Sequence, residues 1–391
     1  MSTIQANSYG LVRYPAYTAP TAGAVTPTAV ATSTTATAPQ ATSNATLSAT
    51  LAQLGTELST LLAKLTAWIQ RMFAPAPAPV YAPTPSPYPA PSPYPTPGPT
   101  TTAGNLSADQ LRSGNFSGCL FGSTTPSGVT PQSLQSELGR PLDINHSYYR
   151  FDDQVPSAED KADVAAGRIP LISFNAITKA GAPVSWADIA SGKYDARLRQ
   201  VADGLKALGK PVMFTFNHEP ENDQVRGTPA DYRAAWQHIS DIFAQEGASN
   251  VTKVYVTMGW QPALSAAYYP GNAVDWVAGD PYNWADTASK PTAAWRSFAQ
   301  AAGGFYNWAK TTGKPIMIAE TGSAEDPSDP NRKAQWITDM AATLKQWPQV
   351  KAVSYFDDGA GQGGPNTWSI QSPQAVAAWR AMAQDPYFSR H

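Results

Sequence analysis

Two glutamates in this chain of 391 residues stand where apolar, strand-like segments end. Glu219 ends the segment 214–219 and is followed by a proline, and Glu320 ends the segment 315–320 and is followed by a Thr-Gly turn. A buried parallel strand rarely delivers a carboxylate at its C-terminal end unless a site there uses it. Two such carboxylates in one cleft could cleave a glycosidic bond, one as proton donor and the other as nucleophile or base.

Eight apolar strand candidates lie between residues 119 and 356, and helical patterns separate most of them. The helical pattern is clear over 232–243 and 335–344, where apolar residues lie three and four apart. Repeated alternation of strands and helices implies parallel pairing and predicts a (β/α)8 TIM barrel. An open doubly wound sheet is the alternative, but no glycine fingerprint follows the first strand. The candidates are Cys119–Phe121, Leu142–His146, Pro170–Phe174, Val212–Asn217, Val254–Met258, Val274–Ala278, Ile316–Glu320 and Ala352–Phe356.

The strand order places both glutamates at one end of the predicted barrel. Glu219 follows the fourth strand and Glu320 ends the seventh. Active sites of such barrels lie at the C-terminal ends of the strands. The fourth and seventh strands are roughly opposite each other in the ring, so we expect the two carboxyl groups to converge on one substrate.

Three motifs in this order resemble the clan A retaining glycoside hydrolases, and most closely glycoside hydrolase family 26. They are His218-Glu219, the segment 275–283 (Asp-Trp-Val-Ala-Gly-Asp-Pro-Tyr-Asn) and the segment 318–322 (Ile-Ala-Glu-Thr-Gly). The resemblance extends from about Phe116 to the C-terminus. That family is dominated by β-mannanases, with smaller groups that act on other β-glycans. The resemblance therefore implies an endo-acting retaining enzyme with β-mannan as the first substrate.

The resemblance also assigns roles to individual residues. Glu219 matches the acid/base, Glu320 the nucleophile, His218 the histidine that organises the site, and Tyr282 a tyrosine that reaches toward the nucleophile. The mannanases commonly carry an arginine before the acid and a Met-Asn pair after it, whereas this chain has neither at 214–222. These departures concern the choice of substrate more than the chemistry.

Further polar and aromatic residues near the predicted strand ends are candidates for substrate binding, although each has a purely structural alternative. His146 ends the second predicted strand and could instead be a hydrogen-bonded rim histidine. Trp260 and Trp284 could stack on sugar rings or simply pack in loops. Phe356 stands near a position where the family commonly has a tryptophan. The full candidate set is His146, His218, Asn222, Trp260, Asp280, Tyr282, Trp284 and Phe356.

Three other interpretations concern the acids themselves. Glu219 could pair with Arg226 as an ordinary loop residue, and Glu320 could cap the turn at Gly322. Glu221 competes with Glu219 for the role of acid, but its position predicts a side chain that points to solvent or contacts substrate.

The first 104 residues have a different composition from the rest of the chain. Residues 1–46 are a low-complexity Ala/Thr/Ser/Pro region that we expect to be largely disordered. A heptad stripe of Leu, Trp and Met over 47–73 predicts a helix that could join chains into a homo-oligomer or act as an interfacial helix. It could instead fold back on the barrel or form only transiently. Residues 74–104 are a proline-rich linker that favours polyproline II. The hydrolase domain is predicted over 105–391.

The overall composition excludes several classes of partner. The net charge is −2, and no cluster of Lys and Arg points to nucleic acid. No segment reaches the length of a transmembrane span. The single cysteine cannot form an intramolecular disulfide, and the four histidines do not suggest a metal site or a cofactor. We expect a polysaccharide or oligosaccharide substrate and an extracellular or cell-surface location, although no signal peptide is visible in the first residues.

Two other classes of function remain open at this point. One is a non-catalytic carbohydrate-binding barrel, which would have an aromatic cleft but displaced or blocked carboxyl groups. The other is a structural protein associated with surface polysaccharide, in which the N-terminal region would matter most.

Overall fold

The structure of the protein is a computed structural model. It describes residues 106–125, 129–285, 293–326, 328–357 and 368–388. The predicted segments 1–46, 47–73 and 74–104 lie outside these ranges, so the heptad helix, the linker and self-association stay predictions.

Eight parallel strands close into a barrel, as the sequence predicted. Around the ring their order is β1-β10-β8-β6-β5-β4-β3-β2. Each barrel strand therefore pairs with the next barrel strand along the chain, and the last one, β10, pairs with β1. Two further strands of two residues each, β7 and β9, pair with each other outside the ring. The strands are β1 Leu120–Ser123, β2 Ile144–Arg150, β3 Ile169–Asn175, β4 Val212–Phe216, β5 Val251–Thr257, β6 Trp276–Gly279, β7 Tyr282–Asn283, β8 Ile316–Ile318, β9 Gly322–Ser323 and β10 Val350–Tyr355.

The helices connect these strands and cover the outside of the barrel. The helix over 229–245 begins with a capping box, in which Thr228 and Asp231 satisfy each other's backbone N–H groups. Both helical patterns read from the sequence lie inside observed helices. The helices are α1 Ala108–Ser113, α2 Pro131–Leu138, α3 Ala158–Ala165, α4 Trp186–Ala190, α5 Asp195–Lys206, α6 Pro229–Gln245, α7 Pro262–Tyr268, α8 Phe298–Ala309, α9 Arg332–Gln346 and α10 Pro373–Gln384. No helix among the described residues combines the length and the apolarity needed to span a bilayer.

The apolar side chains form two separate layers because successive residues of a strand point to opposite faces. Inside the barrel, Leu171, Met213, Val254 and Met317 belong to one buried cluster. The side chains on the outer face of the strands pack against the helices in a larger cluster. Burial on both faces explains why the strands are almost continuously apolar in the sequence.

Helix α1 lies against the end of the barrel where β6 begins. Trp276, the first residue of β6, is fully buried, and its indole N–H donates a hydrogen bond of 2.9 Å to the carbonyl of Leu111. The ring of Phe116 stacks on Trp276 with centroids 6.3 Å apart. This helix and these rings fill the N-terminal end of the barrel, which leaves the C-terminal end for a site.

Two details of the strands differ from the prediction. His146 does not end the second strand, because β2 continues to Arg150. The seventh barrel strand, β8, ends at Ile318, so Glu320 lies just beyond the strand rather than in it. The longer β2 turns His146 and Tyr148 toward the same face, since residues two apart in a strand share a face.

Candidate active site

Glu219 is held in a left-handed backbone conformation directly after β4. Its φ is 52° and its ψ is 51°, and Asn217 also has a positive φ of 45°. Such a conformation costs on the order of 1–3 kcal/mol in a residue other than glycine and persists only where neighbouring contacts fix it. Here the backbone N–H of Glu219 donates to the carbonyl of Val256 at 3.0 Å. The start of the loop is therefore tied to the adjacent strand β5.

The side chain of Asn217 fixes the same loop from the other side. Its carbonyl oxygen accepts the backbone N–H of Ala176 at 3.1 Å, and its amide donates to Asp223 at 2.7 Å. Arg226 in turn donates to the carbonyl of Ala176 at 2.7 Å and forms an ion pair with Asp223. Arg226 therefore pairs with Asp223, and the alternative that Glu219 is merely its loop partner is wrong.

Glu320 is buried at the C-terminal end of β8, with both carboxylate oxygens engaged. Its side chain is only 8% exposed. The hydroxyl of Tyr148 donates to Oε1 at 2.7 Å, and the hydroxyl of Tyr282 donates to Oε2 at 2.7 Å. Burial, followed by the charge of Glu320, raises the pKa of each phenol, so both remain proton donors. Each oxygen of this carboxyl group therefore accepts one O–H hydrogen bond.

Tyr282 owes its position to the small sheet β7–β9. Tyr282 pairs in register with Gly322, which follows Glu320 closely in the chain. The ring of Trp368 packs on Tyr282 with centroids 4.8 Å apart. A Cβ atom on Gly322 would lie 3.1 Å from the Cβ of Trp368, so any side chain at this position would press against the tryptophan.

The polar face of β2 supports Glu320 through a chain of hydrogen bonds. The hydroxyl oxygen of Tyr148 lies 3.1 Å from Nδ1 of His146, and Nε2 of His146 lies 2.8 Å from the hydroxyl of Ser173. Since the hydroxyl proton of Tyr148 goes to Glu320, its oxygen accepts from Nδ1–H, and Nε2 then accepts from Ser173. Burial and the neighbouring His218 lower the pKa of His146, so the imidazole is neutral.

His218 lies beside the same carboxylate. Its Nε2 is 3.9 Å from Oε1 of Glu320, which is beyond a hydrogen bond, and its ring is 5.6 Å from that of Tyr148. Its Nδ1 is buried and finds no hydrogen-bond partner among the described residues. His218 therefore directly precedes Glu219 in the chain and lies close to Glu320 in space.

The environment of Glu219 differs from that of Glu320. Glu219 is partly buried, and the amide of Asn222 donates to its Oε2 at 3.2 Å. Burial, then the charges of Glu320 and Glu221, raise the pKa of Glu219 well above its usual range, and the Asn222 amide opposes the rise. One carboxyl group is thus kept protonated while the other is bound by two hydroxyl donors, and this division of roles is what acid-assisted displacement requires.

Asp280 is a third buried carboxyl group at this end of the barrel. It is 3% exposed, and neither carboxylate oxygen has a hydrogen-bond partner among the described residues. Burial and the charges of Glu320 and Glu219 raise its pKa well above the usual range. A neutral carboxyl group here can donate one hydrogen bond and accept others.

The predicted aromatic residues fall into two groups. Phe356 and Trp284 are partly buried and join Tyr282 and Trp368 in one cluster. Phe356 also contacts the edge of Tyr148, with ring centroids 6.2 Å apart. Trp260 stands apart from this cluster and is 56% exposed, with its indole N–H directed to the sulfur of Met258 at 3.2 Å.

The structure corrects the expected position of Glu221. The sequence predicts that the Glu221 side chain points to solvent or contacts substrate. In the structure Glu221 is 6% exposed, and its side chain is turned toward the end of β5. The hydroxyl of Thr257 donates to it, and the backbone N–H of Met258 lies 3.4 Å from its other oxygen. The short turn over Pro220–Asn222 reverses the chain and sends this side chain inward.

Sequence reasoning also missed Tyr148 and Trp368 as members of the site. Tyr148 lies two residues after His146 in β2, so the two side chains share a face of the strand. A predicted second strand that continued beyond His146 would have placed Tyr148 in the site. Trp368 follows the last barrel strand at a distance in the chain, and no local pattern connects it with Tyr282. The second alternative for Glu320 is also wrong, since its carboxylate bonds to two phenols rather than capping the turn at Gly322.

The chain forms a closed (β/α)8 barrel with glutamates after its fourth and seventh strands, and its fold is similar to that of several solved structures. Solved structures with this fold include GH26C from Muricauda sp. MAR_2010_75, at 14% identity and a TM-score of 0.54, covering 72% of this chain and 89% of that one. Another is the GH26 β-mannanase BoMan26A from Bacteroides ovatus, at 15% identity and a TM-score of 0.51, covering 72% and 92%. The predicted resemblance to glycoside hydrolase family 26 is confirmed at the level of the fold.

The chain is also similar in sequence to a curated protein. Endoglucanase H of Acetivibrio thermocellus is 32% identical over 272 residues, a match that covers 66% of this chain and 29% of the relative. The chain thus spans less than a third of that protein's length. No protein-family model matches the chain.

Proposed function

We propose that the protein is an endo-acting retaining glycoside hydrolase that cleaves β-linked polysaccharide. The observation that carries the proposal is the contrast between the two glutamates. Glu219 has a pKa raised by burial and by neighbouring charge, and Glu320 is a carboxylate held by two phenol hydroxyls at the same end of the barrel. The pair matches the division between acid and nucleophile in double-displacement hydrolysis.

In the first step Glu219 donates its proton to the glycosidic oxygen as the bond breaks. Oε of Glu320 attacks the anomeric carbon, and the reducing-end part of the chain leaves as an alcohol. The product is a glycosyl ester on Glu320. Tyr148 and Tyr282 keep the attacking carboxylate oriented through the bonds that they donate in the free enzyme.

The second step follows from the electrostatic coupling of the two acids. When the ester forms, the negative charge on Glu320 disappears, and with it one of the causes that raise the pKa of Glu219. Glu219 then remains ionised and removes a proton from the incoming water, which attacks the anomeric carbon and regenerates Glu320. The product keeps the configuration of the substrate.

For the substrate, β-mannan is our first choice and β-glucan the second. The structural relative from Bacteroides ovatus is described as a β-mannanase, and the sequence relative is called an endoglucanase. The exposed Trp260 and the partly buried Trp284 and Phe356 are proposed to stack on sugar rings, since indole and phenyl faces suit the apolar faces of pyranoses. His146, His218, Asn222, Asp280 and Tyr282 supply the polar contacts of the proposed site.

The proposed substrate is a polysaccharide, which does not cross a membrane unaided. We therefore propose that the protein acts outside the cell or at its surface. Residues 47–73 are proposed to gather several barrels through their heptad stripe. Size-exclusion chromatography with light scattering on the full chain and on a chain lacking 47–73 tests this point. A monomeric full chain would contradict it.

A panel of β-mannan, β-glucan and β-xylan, read by the appearance of new reducing ends, tests the proposed function. Glu219→Gln and Glu320→Gln should each lower turnover by about 10²–10⁴-fold or more, and the exposed carboxyl variant Glu137→Gln is the matched control. Azide added to Glu320→Ala should give a glycosyl azide of inverted configuration. Binding of polysaccharide without new ends would favour a carbohydrate-binding barrel instead.

A further inference from the structure

Glu221 is a buried acid that the mechanism above does not use. It is 6% exposed and lies two residues after Glu219, in the turn that leads away from β4. Burying an acid in this way is costly unless donors satisfy it or it stays protonated. Glu221 also lies close to the proposed catalytic acid in the chain, so its charge and its contacts can affect Glu219.

The end of β5 supplies two hydrogen-bond donors to the Glu221 carboxyl group. Thr257, the last residue of β5, donates its hydroxyl to Oε1, and the backbone N–H of Met258 points to Oε2 at 3.4 Å. The hydroxyl of Thr257 also lies 2.9 Å from that of Ser265, which is fully buried on α7. The carboxyl group therefore joins the loop over 217–226 that carries Glu219, here called the acid loop, to β5 and α7.

A second link joins the same two elements on the other side of the turn. The backbone N–H of Glu219 donates to the carbonyl of Val256 at 3.0 Å, one residue before Thr257. Glu219 is thus attached to Val256 of β5, and Glu221 is attached to the next residue, Thr257. These two attachments oppose any relaxation of the left-handed conformation at Glu219.

The titratable groups around Glu221 are acids and phenols. Asp223 adds a negative charge on the same loop, and burial is the larger cause that raises the pKa of Glu221 to about 7. Glu221 consequently changes its charge near neutral pH, where the charge acts on its neighbours. Burial is the main cause of the raised pKa of five neighbouring groups, and the charge of Glu221 adds to it: Glu219 on the loop, Tyr232 on α6, Tyr255 on β5, Tyr268 on α7 and Asp280 after β6.

We propose that Glu221 is a positioning residue that fastens the acid loop to β5 and, once ionised, keeps Glu219 protonated at higher pH. The proposal rests on the proposed function, because it assigns Glu221 a part in maintaining the acid of that reaction. Below the pH at which Glu221 ionises, it acts only through its hydrogen bonds. Above that pH, its negative charge opposes the loss of the proton from Glu219, which extends activity in the alkaline direction.

Glu221→Gln separates charge from hydrogen bonding. The amide oxygen can accept from the N–H of Met258, and the amide N–H can donate to Thr257, whose hydroxyl then donates to Ser265. The variant therefore keeps the attachment and removes the charge. Glu137→Gln, at an exposed position of α2, removes one negative charge elsewhere on the barrel and serves as the control.

The test compares pH profiles of kcat/KM for the full-length wild type and both variants. Glu221→Gln should agree with the wild type within about twofold at pH 5 and fall to less than about one fifth of it at pH 8, because its alkaline limb moves to lower pH. Glu137→Gln should follow the wild type throughout. An unshifted alkaline limb in Glu221→Gln, or an equal loss at every pH, would overturn the proposal.

A second readout does not depend on catalysis. The carboxyl carbons of ¹³C-labelled glutamate are titrated by NMR, with Glu219→Gln and Glu221→Gln used to assign the two resonances. The midpoint of Glu219 should be lower in Glu221→Gln, and Thr257→Val should raise the midpoint of Glu221 while Thr257→Ser leaves it near the wild-type value. If no β-glycan is cleaved but these midpoints move as stated, the proposed reaction fails and the coupling stands; unmoved midpoints refute the coupling itself.

Discussion

The hydroxyl of Tyr282 donates a hydrogen bond of 2.7 Å to Oε2 of Glu320, from a position fixed by the pairing of β7 with β9. Tyr148 donates to the other oxygen from β2 on a different part of the ring. The carboxylate is therefore held by two elements that are distant in the sequence. Its orientation therefore depends on contacts that form only when the barrel closes and β7 pairs with β9.

Tyr282→Phe should lower kcat without a comparable loss of stability. A hydrogen bond to a charged group contributes about 1.5–3 kcal/mol, so its removal predicts a loss of roughly ten- to a hundredfold in turnover. Initial rates on the preferred polysaccharide measure the effect. Tyr306→Phe is the matched control, because its hydroxyl bonds to Gln349 at 2.6 Å, away from the proposed site. Equal rates for Tyr282→Phe and the wild type would show that the bond does not serve the reaction.

Trp260→Ala should weaken substrate binding while leaving the fold unchanged. The side chain is 56% exposed, so few packing contacts are lost and the melting temperature should move little. Loss of one stacking partner, worth about 0.5–1.5 kcal/mol, predicts a KM for long substrates that is raised roughly two- to tenfold. Trp260→Phe should restore most of the affinity. An unchanged KM would leave Trp260 as an ordinary surface residue.

Gly322→Ala should disturb the ring that supports Tyr282. The added methyl group would lie 3.1 Å from the Cβ of Trp368, which must move or strain the loop. We expect a loss of about 1–3 kcal/mol in the free energy of unfolding, together with reduced activity. Gly303→Ala on α8 is the control, because a Cβ there meets nothing within 4 Å and alanine favours a helix. If both variants melt like the wild type, Gly322 is not constrained by Trp368.

The ionisation of Glu221 should make stability depend on pH. Its pKa rises from 4.5 to about 7 on folding, so between these values the folded state binds more protons than the unfolded state. The free energy of unfolding must then fall as the pH rises through this window, by about 3 kcal/mol from this group. Denaturant unfolding at pH 5 and pH 8 should show a smaller decrease for Glu221→Gln than for the wild type. Identical decreases would contradict the raised pKa.

The sequence was sufficient for the barrel because both of its signals are local. Each strand is a short apolar segment buried on both faces, and each helix repeats its apolar residues at three and four positions. Glu219 and Glu320 could then be placed at one end by counting strands. The ends of the strands are harder to predict than the strands themselves. The sequence does not reveal that β2 extends beyond His146, because the residues that follow, Ser-Tyr-Tyr-Arg, are polar and aromatic.

The parts of the site that the sequence did not reveal depend on contacts between distant segments. Trp368 reaches Tyr282 only after the chain has completed the ring. Glu221 turns inward because Pro220 begins a tight turn after a residue in the left-handed conformation, and neither conformation is encoded by a simple pattern. Its partner Thr257 is an ordinary β-branched residue of a strand, so nothing in its type marks it as a donor to a buried acid.

The most direct test of the assigned chemistry is to trap the covalent intermediate. A 2-deoxy-2-fluoro glycosyl fluoride of the preferred sugar slows both steps and lets the ester accumulate. Proteolysis and mass spectrometry should then find one added sugar on the peptide that contains Glu320 and none on the peptide that contains Glu219. A label on any other residue, or a first product of inverted configuration with no label, would contradict the assignment.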